Sequence, residues 1–559
     1  MISRVVERLL KLPAPATRRL TVQRDLRVPM PDGAELLADH WAPRTGKGGG
    51  PEGQGGGKGA GLPTAVLRSP YGRRGVFGAI LARPLAERGF QVLIQSTRGG
   101  FGSGGPFDPL RQEREDGLAT LDWVVKQPWF GDAIVLTGPS YLGYVQWAVA
   151  DRLPPQVKAM IPHVTESGLT LEFLREDGLS LETPFGWGVQ VATQERRFAL
   201  VRQRSQAKKV SRALNTLPLA QADVVAIGHR SDYIQDILAH PETSPRWAAL
   251  DHRDRVADVT VPVSSVGGWY DIFLPGQLRD FRTLQDAGQR PRLTVGPWTH
   301  AGDLLTGAGV SLRETCEFGL ALARGEEPPE RAPVRLFVMG EEAWHDFASW
   351  PPEGYAPQRF HLQSGGGLSP DAPAGSAESA ESAVDRYRYD PADPTPAAGG
   401  VRMAPDAGRV DNAALEARAD VLTYTTAVLG EDVEVIGDVS AEIWFRSSLR
   451  FADVFVRLCD VGPDGRSVNV CDGLTSLRDA AELAAVTVRL WPTAHRFRRG
   501  HRIRVQVSSG AFPRYARNPG TGEPHATAVT LRTADQEVHH DPAHASAIVL
   551  PVRDFRQQP

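Results

Sequence analysis

The segment Ile134-Val135-Leu136-Thr137-Gly138-Pro139-Ser140-Tyr141-Leu142-Gly143 sets a serine between an apolar β-type run and a helix-like stretch, Tyr144 to Ala150. A serine at such a strand-to-helix turn is held out of the fold, with its hydroxyl exposed above a helix N-terminus. Glycines on either side leave room for the turn and for close helix–sheet packing. The chemistry this geometry suits is nucleophilic attack on an acyl carbon. The pattern departs from G-x-S-x-G, because Gly143 stands three residues after the serine rather than two.

An activated serine needs a base within hydrogen-bond reach and a carboxylate to orient that base. In α/β-hydrolases the partners follow in the order Ser, Asp, His, each on a loop after a later strand. Val266-Gly267-Gly268-Trp269-Tyr270-Asp271 places Asp271 after an apolar run, and Leu293 to His300 places His300 after the next. His163 also follows an apolar run but precedes any strand-end aspartate, which breaks the order. His539, His540 and His544 form H-H-x-x-x-H without H-E-x-x-H character and read as a surface loop, so no metal site is expected. Gly100 to Gly105 matches G-x-G-x-x-G, but Pro106-Phe107-Asp108-Pro109 follows where a dinucleotide site requires a helix. It reads as a glycine-rich turn.

The elements around these residues alternate in type. Thr64 to Arg68, Gln91 to Gln95, the run before Ser140, and Val157 to Pro162 are short apolar segments. Ile80 to Glu87 and Leu118 to Val125 between them have helical spacing, so a largely parallel sheet covered on both faces is expected. From about 165 to 254 the strand rhythm stops, and Leu169 to Leu174, Glu195 to Gln206 and Asp232 to Ala239 read as helices of an inserted cap. Strand signals resume at Val261 to Gly268 and Arg292 to Gly296. Beyond about 330 the pattern is all-β, with Val334 to Val338, Ala441 to Phe445 and Arg502 to Val507 as strands, and a sandwich or jelly roll is expected. The expected division is 1–164 with 255–328 as an α/β-hydrolase domain, 165–254 as the cap and 329–559 as the jelly roll. Residues 46–61 carry ten glycines and residues 364–383 are rich in Gly, Ser, Ala and Pro, so both read as loops.

A chain of 559 residues suits about three domains. A net charge of -3 leaves no electrostatic footprint for nucleic acid. Cys316, Cys459 and Cys471 are too few and too scattered for a disulfide framework or a C-x-x-C metal site. The first ten residues mix charges into a short apolar pattern, and no long apolar run follows, so a cytoplasmic enzyme without membrane attachment is expected.

Together the motifs resemble the CocE/NonD hydrolases, the group of bacterial cocaine esterase, α-amino-acid ester hydrolases, glutaryl-cephalosporin acylases and X-prolyl dipeptidyl aminopeptidases. The matching segments are Ser69-Pro70-Tyr71-Gly72, Thr97 through Pro109, Gln127-Pro128-Trp129, Gly138 to Gly143, Gly268 to Asp271, Gly296 to His300, Val338-Met339-Gly340, Leu422 to Thr425 and Gly500 to Arg504. The resemblance implies Ser140 as nucleophile, Asp271 as orienting acid and His300 as base. It also implies that the Tyr71 hydroxyl joins the Tyr141 backbone N–H in an oxyanion hole, and it implies no cofactor. Gln95-Ser96-Thr97-Arg98 departs from the frequent Gln-Asp-Thr-Arg of this group, which puts a local contact in doubt.

Family members acting on free α-amines resemble one another in carrying acidic residues near the triad. Here Ile272-Phe273-Leu274 follow Asp271 and Leu142 stands two after the serine, all apolar. Phe273, with Trp187 and Phe185 of the cap, suggests a greasy acyl pocket. The expected substrate is a small ester, or an amide, with an apolar or aromatic acyl group. Amino-terminal dipeptide release stays open, since Glu172, Glu176 or Asp177 could anchor an amine. A biosynthetic acyltransferase or cyclase, or a non-catalytic ligand-binding protein, are the readings from other classes.

Overall fold

The computed structural model describes residues 2–44, 61–168, 179–196, 203–240, 244–303, 307–373 and 383–553. Most of the glycine-rich insertion, the expected helix at 169–174, and Glu172, Glu176 and Asp177 lie outside the described residues, as does the middle of the expected 195–206 helix.

Ten strands build the first sheet: β1 (Leu20–Pro29), β2 (Glu35–Pro43), β3 (Thr64–Ser69), β4 (Gln91–Ser96), β5 (Ile134–Pro139), β6 (Val157–His163), β7 (Ser264–Tyr270), β8 (Arg292–Thr299), β9 (Val334–Val338) and β10 (Ala343–Phe347). Their order is β1-β2-β4-β3-β5-β6-β7-β8-β9-β10. The middle, from β4 to β9, is parallel, while β1, β2 and β10 pair antiparallel at the two edges. Strands β3, β4 and β5 are buried along their whole length, as helices on both faces of a parallel sheet require. The crossover at position 4-3-5 is a topological switch point, and a ligand site belongs beyond the carboxyl ends of the strands there.

Between β6 and β7 the described residues form helices at Glu182–Thr193, Gln203–Leu214, Ala222–Ile227 and Asp232–Ala239. They close over a small core that includes Leu181, Phe185, Val189, Leu214 and Ile234 together with Ala516 from the C-terminal part. The helix Glu182–Thr193 has no clear sequence signature, because Pro184, Gly186 and Gly188 interrupt it. Pro184 sits in its first turn, where a missing N–H costs little. Gly188 is required by packing, since a Cβ there would come within 2.8 Å of Tyr233 and Ile234.

From Tyr355 onward the strands join a second, 13-stranded array that is antiparallel apart from one parallel contact, Gly367 to Thr425. Val334–Val338, expected among these strands, pairs instead with β8 in the first sheet. Its five residues carry no mark of which sheet they join. What decides is the helical stretch Ala308–Ala323 before it, which makes the step from β8 to β9 a parallel crossover. One continuous apolar core joins the two sheets, with Trp269, Leu336, Trp350, Ile436 and Trp491 among its members. Among the described residues no helix is long and apolar enough to cross a membrane.

Candidate active site

Ser140 stands between the end of β5 and the helix Tyr141–Trp147, with φ 56° and ψ −121°. A non-glycine residue in this region is strained, and the elbow holds it there by packing on both sides. Gly138 has φ 141°, and a Cβ on it would meet the Leu142 Cβ at 2.5 Å. The displaced second glycine has its own reason: a Cβ on Gly143 would lie 2.4 Å from Thr165 Cγ2, just past β6. The helix therefore approaches the next strand's exit at position +3 rather than +2, and the fully buried Leu142 fills the intervening place.

Asp271 and His300 come from the adjacent strand ends, one residue past β7 and one past β8. His300 Nδ1 lies 2.7 Å from Asp271 Oδ2, and its Nε2 lies 3.0 Å from Ser140 Oγ. A carboxylate only accepts, so the Nδ1 position carries the proton and Nε2 is left to accept from the serine. Asp271 is fully buried, its Oδ1 takes the Phe273 N–H at 2.8 Å, and its backbone carbonyl takes the Trp491 indole N–H at 3.1 Å. The Phe273 ring stands edge-on to the His300 imidazole at 5.3 Å. The structure thus brings together the three residues that strand-end position selects.

Tyr71 follows β3 and lies beside Ser140, stacked on Phe77 with ring centroids 5.2 Å apart. Its hydroxyl accepts the Trp187 indole N–H at 2.9 Å. Burial pushes the Tyr71 phenol up to about 12, against hydrogen bonds with Trp187 and Ser140, so it stays a neutral donor across the working pH range. The Tyr141 phenol is committed below the elbow, donating to Glu113 Oε1 at 2.5 Å and accepting the Leu110 N–H at 2.8 Å. Arg68 closes this buried cluster with an ion pair to Glu113 at 2.8 Å. As the first residue of its helix, Tyr141 has a backbone N–H with no intrahelical acceptor, pointing where charge can be met.

A cavity opens over Ser140, lined by Tyr71, Leu110, Tyr141, Trp187, Ile272, Phe273, His300 and Met403. Trp187 and Phe273, expected at an acyl pocket, line it. Phe185 does not: it is turned into the helical insertion's core. Met403 reaches the cavity from a loop before the second sheet's central strands, and nothing local in the sequence marks it. Its neighbour Arg402 grips Glu182, at the start of the helix carrying Trp187, through two hydrogen bonds of 2.7 and 2.8 Å.

Other sequence features fall elsewhere. Gly100 to Gly105 forms a turn in which Ser103 N–H bonds the Gly100 carbonyl. Ser96, the departure from the frequent aspartate, accepts from Arg73 Nη1 at 3.1 Å, while Asp39 supplies the carboxylate to Arg73 and Arg74. His539, Asp541 and His544 do approach, with ligand-capable atoms within 4.8 Å of one another. Asp541 there accepts the Ala543 and His544 backbone N–H groups, which is turn chemistry, and none of the three lines the Ser140 cavity.

A strained serine on a strand-to-helix elbow, hydrogen-bonded in line to a histidine and an aspartate at neighbouring strand ends, defines a serine hydrolase of the α/β-hydrolase class. Residues 32–302 match the X-Pro dipeptidyl-peptidase (S15 family), and residues 330–549 match the X-Pro dipeptidyl-peptidase C-terminal non-catalytic domain. The chain is 32% identical over 592 residues to the cocaine esterase of Rhodococcus sp. (strain MB1 Bresler), covering 95% of this chain and 98% of that one. The chain belongs to this family, the S15 or CocE/NonD serine hydrolases. Its fold is shared with an aminopeptidase from a marine sediment archaeon of the Thaumarchaeota (TM-score 0.81, 21% identity, 97% and 98% of the two chains covered). An α-amino acid ester hydrolase is similar to the same degree (TM-score 0.80, 21% identity, 97% and 98% covered).

Proposed function

We propose that the chain hydrolyses carboxylic esters of apolar or aromatic acids through an acyl-enzyme on Ser140. The observation that carries this reading is His300 bridging Ser140 and Asp271 at 3.0 and 2.7 Å under an apolar cavity. As Ser140 Oγ attacks the acyl carbon, His300 Nε2 takes its proton and Asp271 stabilises the imidazolium. The oxyanion forms between the Tyr71 hydroxyl and the Tyr141 backbone N–H, each donor supplying about 2.7–4 kcal/mol of transition-state stabilisation. His300 then returns the proton to the departing alcohol oxygen, and a water repeats the sequence to free the acid.

Among the described residues lining the cavity there is no carboxylate to pair with a substrate ammonium. This favours an ester with an apolar acyl group over release of amino-terminal dipeptides. Glu172, Glu176 and Asp177 would be the amine anchors of a peptidase. The three free cysteines suit a reducing, cytoplasmic setting. Turnover of p-nitrophenyl butyrate and benzoate against Gly-Pro-p-nitroanilide tests the choice. The esters are expected to be faster in kcat/KM by at least about 100-fold, since amides need more help to expel their leaving group. The reverse ranking would assign the site to peptides.

A further inference from the structure

The Trp187 indole has one polar group, an N–H that can only donate. It spends that group on the Tyr71 hydroxyl oxygen at 2.9 Å. A phenol that accepts on one side has a single proton left to give, and Ser140 lines the same cavity as Tyr71. The Tyr71 proton is thereby left for the cavity it shares with Ser140, where an oxyanion would form. Accepting a hydrogen bond also polarises the phenol and strengthens its own donation.

The indole is itself held on several sides. Its ring stacks on Tyr141 with centroids 6.0 Å apart and 19° between planes, and meets Tyr233 edge-on at 4.9 Å. Gly188 lets Tyr233 come that close, and Arg402 pins the helix start through Glu182. Trp187 is buried, which limits competition from water for its N–H. A side chain that served only as an apolar wall would not need this alignment.

We infer that Trp187 is a positioning residue for the oxyanion donor, acting through its indole N–H on Tyr71, so that the helical insertion completes the oxyanion hole. This rests on the proposed ester-hydrolase reading of Ser140 and Tyr71.

A double-mutant cycle on a p-nitrophenyl ester tests it, with kcat and KM measured for the wild type, Trp187→Phe, Tyr71→Phe and the double variant. Trp187→Phe is expected to lower kcat about 10-fold with KM changed less than about 2-fold, the size of one hydrogen bond in the transition state. Tyr71→Phe is expected to lower kcat by about 100-fold or more. In that background Trp187→Phe should cost nothing further, within about 2-fold, because its target oxygen is gone. Independent, multiplying losses, or a change confined to KM, would overturn the inference and leave Trp187 a cavity wall. Should Trp187→Phe fold poorly, replacing the indole by benzothiophene keeps the fused-ring shape and removes the N–H; it should show the same kcat loss, and full activity would overturn the inference. A Tyr71→Phe variant with wild-type kcat would instead sink the oxyanion role of Tyr71, and the inference with it.

Discussion

Trp491 donates its indole N–H to the backbone carbonyl of Asp271 at 3.1 Å, joining the second sheet to the loop that carries the acid. Behind it the Arg514 guanidinium lies 4.9 Å from the Trp491 ring centroid. Arg514 and Arg457 both pair with the fully buried Asp472. The C-terminal part thus holds the Asp271 backbone in place from below, the kind of support that keeps a site preorganised.

Trp491→Phe should accordingly act on both stability and rate. The Asp271 carbonyl keeps the Leu274 N–H at 3.3 Å, so losing the indole bond is expected to cost about 0.5–1.5 kcal/mol in urea unfolding. Small displacement of Asp271 is expected to lower kcat about 10-fold with KM little changed. An unchanged kcat in a destabilised variant would confine Trp491 to packing.

Asp453 gives a pH dependence of stability away from the site. Its Oδ1 accepts from Ser476 Oγ at 2.7 Å and from Asn518 Nδ2 at 2.8 Å, and burial pushes its carboxyl up to about 6 against those bonds. The folded state thus holds this proton more tightly than the unfolded chain, whose aspartate titrates near about 3.9. The stabilisation is complete below that value and is lost as pH rises through the folded pKa. Relative to Asp453→Asn, the wild type should lose about 1.4 kcal/mol between pH 5 and pH 8, read from paired urea titrations. A parallel pH profile for the two proteins would contradict this.

Phe273 lines the cavity and stands edge-on to His300. Phe273→Ala should reduce kcat/KM for a benzoyl ester about 10–100-fold more than for an acetyl ester, because a buried aromatic contact is worth about 1.5–3 kcal/mol. Equal losses on both esters would mean that the ring supports His300 and does not touch the acyl group.

The arrangement of Ser140, His300 and Asp271 is legible in the sequence where it depends on strand ends. Ser140, Asp271 and His300 each follow an apolar β-run, and the parallel sheet sets those ends side by side. Tyr71 was reachable through resemblance alone, since Ser-Pro-Tyr-Gly reads otherwise as a turn. Trp187 and Phe185 show where residue type misleads. Two positions apart on a helix, their side chains differ by about 200° in direction, so one faces the cavity and the other the insertion's core. Met403, Arg402 and Trp491 reach the site from the C-terminal half, and a contact spanning hundreds of residues leaves no periodic trace. Val334–Val338 is legible as a strand but joins the other sheet, because its pairing is set by the preceding crossover rather than by its own five residues.

The proposed reaction requires an acyl group to pass through Ser140. Acid-quenching the protein during turnover of p-nitrophenyl butyrate and reading intact and peptide masses tests it most directly. A butyryl adduct on the peptide holding Ser140, a matching burst of nitrophenol, and loss of both in Ser140→Ala are expected. Undiminished turnover by Ser140→Ala, or an adduct on another residue, would contradict it.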